Sequence, residues 1–159
     1  MSVSFGSESE AWTRAVGAVL AKVLVPDGVL LLHGDLGAGK TVLTQGLAAG
    51  LEIDPRQVQS PTFTLVREHQ GPTACLIHVD LYRLDSREVE SLGLWEVLAG
   101  PGIKVVEWAE RLPFAIPEAI KLTIGILEPP QRRQIEIENA PAETEILKQT
   151  IETLSLERV

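Results

Sequence analysis

The chain has 159 residues, 45% of them hydrophobic and 23% charged, the make-up of one globular domain and not of a low-complexity or disordered chain. It holds no run of about 18 uncharged apolar residues, and its acidic start, Met1 to Glu10, has neither the basic region nor the apolar core of an export signal, so a cytoplasmic protein with no membrane span is expected. A net charge of −8 argues against a face that grips nucleic-acid phosphates unaided, because phosphate neutralisation supplies most of such affinity.

In chain order, Glu8 to Val23 is predicted helical. Trp12, Ala15, Val16, Val19, Leu20 and Val23 recur at helical spacing, and Trp12 is expected to pack in the core. Pro26-Asp27-Gly28 is turn chemistry that ends the helix. Val29 to Leu32 is a continuous apolar run, as in a strand buried on both faces of a parallel sheet. A glycine-rich loop follows, then helical spacing from Lys40 to Ala49, with Gly50 as a C-cap. Thr62 to Arg67 and Ala74 to Val79 are predicted strands, the second fully buried. Cys75 lies in that second run and, as the single cysteine, is expected to act as a small buried hydrophobe. Ser86 to Leu98 is predicted as one helix capped by Ser86, with Glu88 and Glu90 suiting its first turn. Ile103 to Val106 is a short buried strand. Lys121 to Leu127 and Gln134 to Glu138 alternate apolar and polar residues, as half-exposed antiparallel strands do. Ala142 to Leu154 is predicted to be a closing helix. The alternation implies an α/β fold: a three-layer sandwich of the P-loop NTPase type, with a largely parallel sheet and antiparallel strands added in the C-terminal part. One domain spans 1–159, its core about 8–139.

The segment Gly34-Asp35-Leu36-Gly37-Ala38-Gly39-Lys40-Thr41 satisfies G-x-x-x-x-G-K-[ST] at every fixed position, between an apolar strand and a helix start. Its glycines permit backbone conformations that converge N–H groups on phosphate oxygens. The helix start adds a positive dipole end. Lys40 would neutralise the β- and γ-phosphates and the Thr41 hydroxyl would ligate Mg²⁺, so ATP with Mg²⁺ is the expected ligand. Such a loop needs a carboxylate at the end of a neighbouring strand. Asp80 ends one buried run and Glu107 another, and both strand ends would line the ligand crevice. Either could orient the attacking water. His78 alternates with Asp80, but Mg²⁺ prefers oxygen ligands, so a positional role is expected for it. The hydroxyl-rich Ser60-Pro61-Thr62-Phe63-Thr64 is either a phosphate-sensing switch segment or a plain turn. Arg83, Arg132 and Arg133 are further candidate phosphate contacts.

Four motifs resemble, in register, those of the TsaE (formerly YjeE) family: the loop His33 to Thr41, Ser60 to Val66, His78-Val79-Asp80-Leu81-Tyr82-Arg83-Leu84, and Glu107-Trp108. The resemblance implies an ATPase required for threonylcarbamoyladenosine modification of tRNA, acting on TsaB and TsaD and meeting tRNA only indirectly. It further implies nucleotide contacts at Asp35, Leu36, Gly37, Ala38, Gly39, Lys40, Thr41, Thr62 and Arg132, Arg133 being the neighbour that could replace the last. Thr41, Glu107 and Asp80 would hold Mg²⁺; Lys40, Asp80 and Glu107 would serve catalysis; Trp108 would stand beside the site. The competing readings are a small-molecule P-loop kinase, which needs an acceptor pocket and an arginine-bearing lid, and a nucleotide-dependent binding module with negligible hydrolysis. A GTPase is opposed by the single Asn139, followed by Ala140-Pro141, where guanine recognition calls for Asn-Lys-x-Asp.

Overall fold

The computed structural model describes residues 2–35, 37–59 and 65–139, together with Gln149. Seven strands form one sheet: β1 (Val3–Ser7), β2 (Val29–Gly34), β3 (Val66–Gln70), β4 (Cys75–Asp80), β5 (Ile103–Glu107), β6 (Ile120–Ile126) and β7 (Arg133–Glu138). Their spatial order is β1-β7-β6-β2-β5-β4-β3. The inner four, β6, β2, β5 and β4, are parallel. Strands β2, β4 and β5 carry the longest apolar runs, as strands covered on both faces must; β6, expected from its alternation to be antiparallel, pairs parallel with β2 and antiparallel only with β7.

Helices α1 (Glu10–Leu24) and α2 (Lys40–Gly50) cover one face, where Val16, Leu20, Leu43 and Leu47 pack on Leu30, Leu32, Val105 and Leu122. The short helices α3 (Ser86–Glu90) and α4 (Leu94–Ala99) cover the other through Val89, Leu94 and Leu98, against Ile77, Val79 and Val106. The α/β three-layer expectation therefore holds. Trp12 is buried in the first core and meets Phe5 at 5.9 Å between ring centroids, as its spacing predicts.

Several local features depart from the sequence reading. The acidic N-terminus contains β1, which pairs antiparallel with β7 from Val3↔Ile137 to Ser7↔Arg133. Its side is decided by that distant partner and not by its own weak alternation. Antiparallel pairing is also present at the opposite edge, where β3 joins β4, so the antiparallel additions are not confined to the C-terminal part. The helix expected over Ser86 to Leu98 is broken at Gly93, which lies at φ 65. Its cap is Asp85, whose carboxylate accepts from the Glu88 N–H at 2.8 Å in a capping box. Of the strand expected at Thr62 to Arg67, residues 62–64 lie outside the described residues; the strand described there is Val66 to Gln70, and Cys75 is half-buried. The closing helix apart from Gln149, the switch segment 60–64 and Leu36 lie outside the described residues. Among the described residues, no helix is long and apolar enough to cross a membrane.

Helices α1 and α2 touch backbone to backbone. A Cβ placed on Gly46 would lie 2.1 Å from the Arg14 carbonyl oxygen, and one on Gly17 would lie 2.3 Å from that of Leu43. Because α2 begins in the phosphate loop, this contact also seats the loop. Gly46→Ala should lower stability by about 1–3 kcal/mol despite alanine's better helix propensity, read as a reduced urea midpoint with an unchanged slope.

Candidate functional site

The site is assembled at the C-terminal edge of the parallel strands. The β4–β5 register sets Asp80 opposite Glu107, and the β2–β5 register sets Glu107 opposite Leu32, just ahead of the loop. Gly34, Gly37 and Gly39 have φ values of 155, 82 and 114. Gly39 is the left-handed residue from which α2 springs, and a Cβ on Gly34 would also strike the Ile124 carbonyl at 2.7 Å. A larger residue at either position would distort the loop.

These elements enclose a cavity of about 450 Å³, within the range of small-ligand sites. Gly37 to Val42 line one side, and Asp80, Tyr82, Glu107 and Trp108 another. The start of α1 contributes Glu8, Ser9, Glu10 and Thr13, and the β6–β7 connection contributes Gln131 and Arg133.

Lys40 is almost wholly buried, with 6% of its surface exposed. Its Nζ donates to the Gly34 carbonyl at 2.6 Å and stands 3.8 Å from the centre of the Trp108 ring. Burial lowers its pKa, opposed by the nearby carboxylates Glu107, Glu110, Asp80 and Asp35. Trp108 is held at φ 59, sparsely populated for a bulky residue and the kind of strain found at functional sites. Tyr82 flanks its ring at 5.0 Å, and the Arg111 guanidinium lies 5.2 Å from it. Arg111 Nη1 also donates to the carbonyls of Leu81 and Tyr82, tying this wall together.

Glu107 is buried, and its Oε2 lies 2.5 Å from His78 Nε2. The positional role expected for His78 thus has a defined object. Asp80 accepts from the Tyr82 N–H at 2.9 Å. Burial raises its pKa and Glu107 adds to the effect, while the Tyr82 N–H and the positive charge of Lys40 oppose it.

Of the residues singled out in the sequence, Gly37, Ala38, Gly39, Lys40, Thr41, Asp80 and Glu107 line the cavity together. Asp35 is exposed and not among the lining residues. Leu36 and Thr62 lie outside the described residues. Arg132 lies 3.3 Å from Glu8 in an ion pair, whereas its neighbour Arg133 faces the cavity and reaches the loop, its Nε donating to the Ala38 carbonyl at 2.7 Å. Sequence reasoning missed the α1 wall. The only local signal was Ser9 as an N-cap, its hydroxyl accepting from the Trp12 N–H, and nothing local tells which cavity that cap borders.

The oxygen donors fit a hard cation. Thr41, Asp80 and Glu107 offer a hydroxyl and two carboxylates, the ligands Mg²⁺ accepts beside phosphate and water. Among the described residues, no group of three or more His, Cys, Asp or Glu side chains forms an all-protein metal cage.

The model of the family described as "Threonylcarbamoyl adenosine biosynthesis protein TsaE" matches residues 7–135. This chain belongs to the TsaE family. A Nostoc protein named tRNA threonylcarbamoyladenosine biosynthesis protein TsaE is 48% identical over 106 residues, covering 64% of this chain and 65% of the relative. A Bacillus subtilis protein of that name is 44% identical, covering 67% and 66%. The chain therefore spans about two thirds of these relatives' length. An Aquifex aeolicus protein of the same name is 39% identical, with 79% and 89% covered. The crystal structure of Bacillus subtilis YdiB superposes with a TM-score of 0.72 at 30% identity, covering 98% of this chain and 97% of that one. The TsaE match begins at Ser7, at the end of β1, and reaches Ile135 in β7, so it includes every wall of the cavity.

Asp80 supplies a pH test. Its folded pKa is raised, so the folded chain holds this proton more tightly than the unfolded one. That contribution to stability is present below the ordinary carboxylate range and is lost as pH rises through the folded value. Asp80→Asn, which keeps an acceptor for the Tyr82 N–H, should raise the melting temperature of nucleotide- and metal-free protein at neutral pH. Below pH 4 the gain should vanish in parallel thermal melts.

Proposed function

We propose that this TsaE-family chain is a Mg²⁺-dependent ATPase acting with TsaB and TsaD homologues in threonylcarbamoyladenosine modification of tRNA, in the cytoplasm. One observation carries the reading: Lys40, Asp80 and Glu107 converge on a single cavity bounded by the glycine loop. A buried ammonium, two carboxylates and a helix N-terminus in one space suit a polyanion accompanied by a cation. The names of the relatives support the pathway. The acidic chain, at −8, is consistent with reaching tRNA through protein partners.

The residues divide the work. The amides of the loop and the start of α2 would take the phosphate oxygens, and Lys40 would exchange its Gly34 carbonyl for the β- and γ-phosphates. Mg²⁺, when bound by Thr41, Glu107 and Asp80, offsets charge on the phosphates. Asp80 or Glu107 would orient water for attack on the γ-phosphorus, with diphosphate leaving as part of ADP. His78 would hold the Glu107 carboxylate steady from behind. Trp108 and Tyr82 would limit bulk water on the Lys40 side, where exclusion of water strengthens each electrostatic contact.

Phosphate release, with and without TsaB and TsaD homologues, tests this. Slow release is expected from the chain alone and faster release with the pair. Lys40→Ala and Glu107→Gln should lower the stimulated rate by roughly 100-fold or more, and a chelator should abolish it. A Lys40→Ala variant turning over at the wild-type rate would remove the basis of the proposal, and so would indifference to both chelator and partners.

A further inference from the structure

Arg133 opens β7, paired with Ile126 of β6 on one side and Ser7 of β1 on the other. It is therefore anchored in the middle of the antiparallel edge, more than ninety positions from the phosphate loop. Its guanidinium crosses to that loop. Nε donates to the Ala38 carbonyl at 2.7 Å and Nη2 makes a longer contact, 3.4 Å, with the Gly37 carbonyl. On the other side Nη1 donates to the carbonyls of Pro130 and Arg132 in the β6–β7 connection. Every acceptor is a neutral backbone oxygen, and among the described residues Arg133 makes no ion pair. Arg133 borders the cavity.

We infer that Arg133 is a positioning residue for the phosphate cradle: by holding the Ala38 carbonyl from β7, it turns the Gly39 amide toward the cavity. The reason is the geometry of a trans peptide, in which C=O and N–H point in opposite directions within one plane. Pinning the Ala38 oxygen on the guanidinium fixes the Gly39 N–H on the opposite side of that peptide. On the preceding peptide, the Ala38 N–H is already engaged by the Asp35 carbonyl at 3.0 Å. The Gly39 N–H has no such backbone acceptor among the described residues. It is left for an anion.

A glycine at φ 114 needs such a brace, because its backbone is otherwise free to rotate the peptide away. Arginine suits the task where lysine does not. A planar fork can hold carbonyls of two loops at once, whereas an ammonium is a compact point charge on a flexible stem.

The inference deepens the nucleotide-binding reading, and its test separates the two. With glycine labelled by ¹⁵N, the Gly39 amide is followed in nucleotide-free wild type, R133K and R133A. Gly102 serves as an internal control, its amide bound to Asp27 Oδ1 at 2.8 Å at the start of β5. The Gly39 resonance should shift in both variants while Gly102 stays unchanged. An unmoved Gly39 overturns the inference, and movement of both amides marks a general loss of structure and overturns it as well. Calorimetric titration with MgATP and MgADP is the second readout. Both nucleotides should bind about tenfold or more weakly in both variants. Full affinity in R133K would mean that charge alone matters, and loss confined to ATP would mean direct contact with the terminal phosphate; either contradicts the brace. Should the wild type bind neither nucleotide, the proposed function fails while the Gly39 amide still decides the role of Arg133.

Discussion

Parallel pairing of β4 with β5 sets Asp80 beside Glu107, and pairing of β5 with β2 sets Glu107 beside Leu32. The rest of the site hangs on this register. Three chain segments distant in sequence end at one edge of the sheet, and the loop emerging from β2 folds over their tips. Side chains alternate faces along a strand, so a slip of one residue would turn Asp80 and Glu107 to the opposite layers. The apolar neighbours guard against it. Leu76 and Val105 face the α1–α2 core, and Ile77, Val79 and Val106 face the α3–α4 core. A one-residue slip would exchange the two sets and forfeit both.

That framework supports an arrangement that is costly by itself. Lys40, His78, Asp80, Lys104 and Glu107 are all buried, and ionised groups in such places are stabilised only by close partners. Lys104 finds the carbonyls of Asp27 and Gly100 at the far end of the sheet, a structural arrangement. The cluster at the near end is different. Lys40 rests on one carbonyl and an aromatic face, and burial depresses its pKa even with four carboxylates near. Asp80 is pushed the opposite way. One cause moves both: burial disfavours the charged form of each, which lowers the pKa of the ammonium and raises that of the carboxyl.

The antiparallel edge gives the site a second support. Strands β1 and β7 stand outside the parallel core, yet Ser7 of β1 hydrogen-bonds Thr13 of the α1 wall at 2.8 Å, and Arg133 of β7 reaches the loop. Glu8, which follows β1, pairs with Arg132. The edge therefore joins the first turn of α1 to the glycine loop and closes the side of the cavity that the parallel strands leave open.

Sequence alone determined what depends on short-range physics. The glycine loop with Lys40 and Thr41 was legible because positive φ and a helix start leave a local pattern. Asp80 and Glu107 were legible because each ends a mostly apolar run, and α1 and α2 because their spacing is helical. The tertiary structure decided what depends on a distant partner. The weak alternation of Val3 to Ser7 becomes a strand only beside β7. The run from Ser86 to Ala99 divides at Gly93 so that Leu94 and Leu98 can reach the sheet. His78 acquires Glu107 as its partner through the β4–β5 register. Of two adjacent arginines, Arg133 turns to the loop and Arg132 to Glu8. Arg132 ends the β6–β7 connection and Arg133 opens β7, and only the placed sheet says which of them meets the phosphate loop.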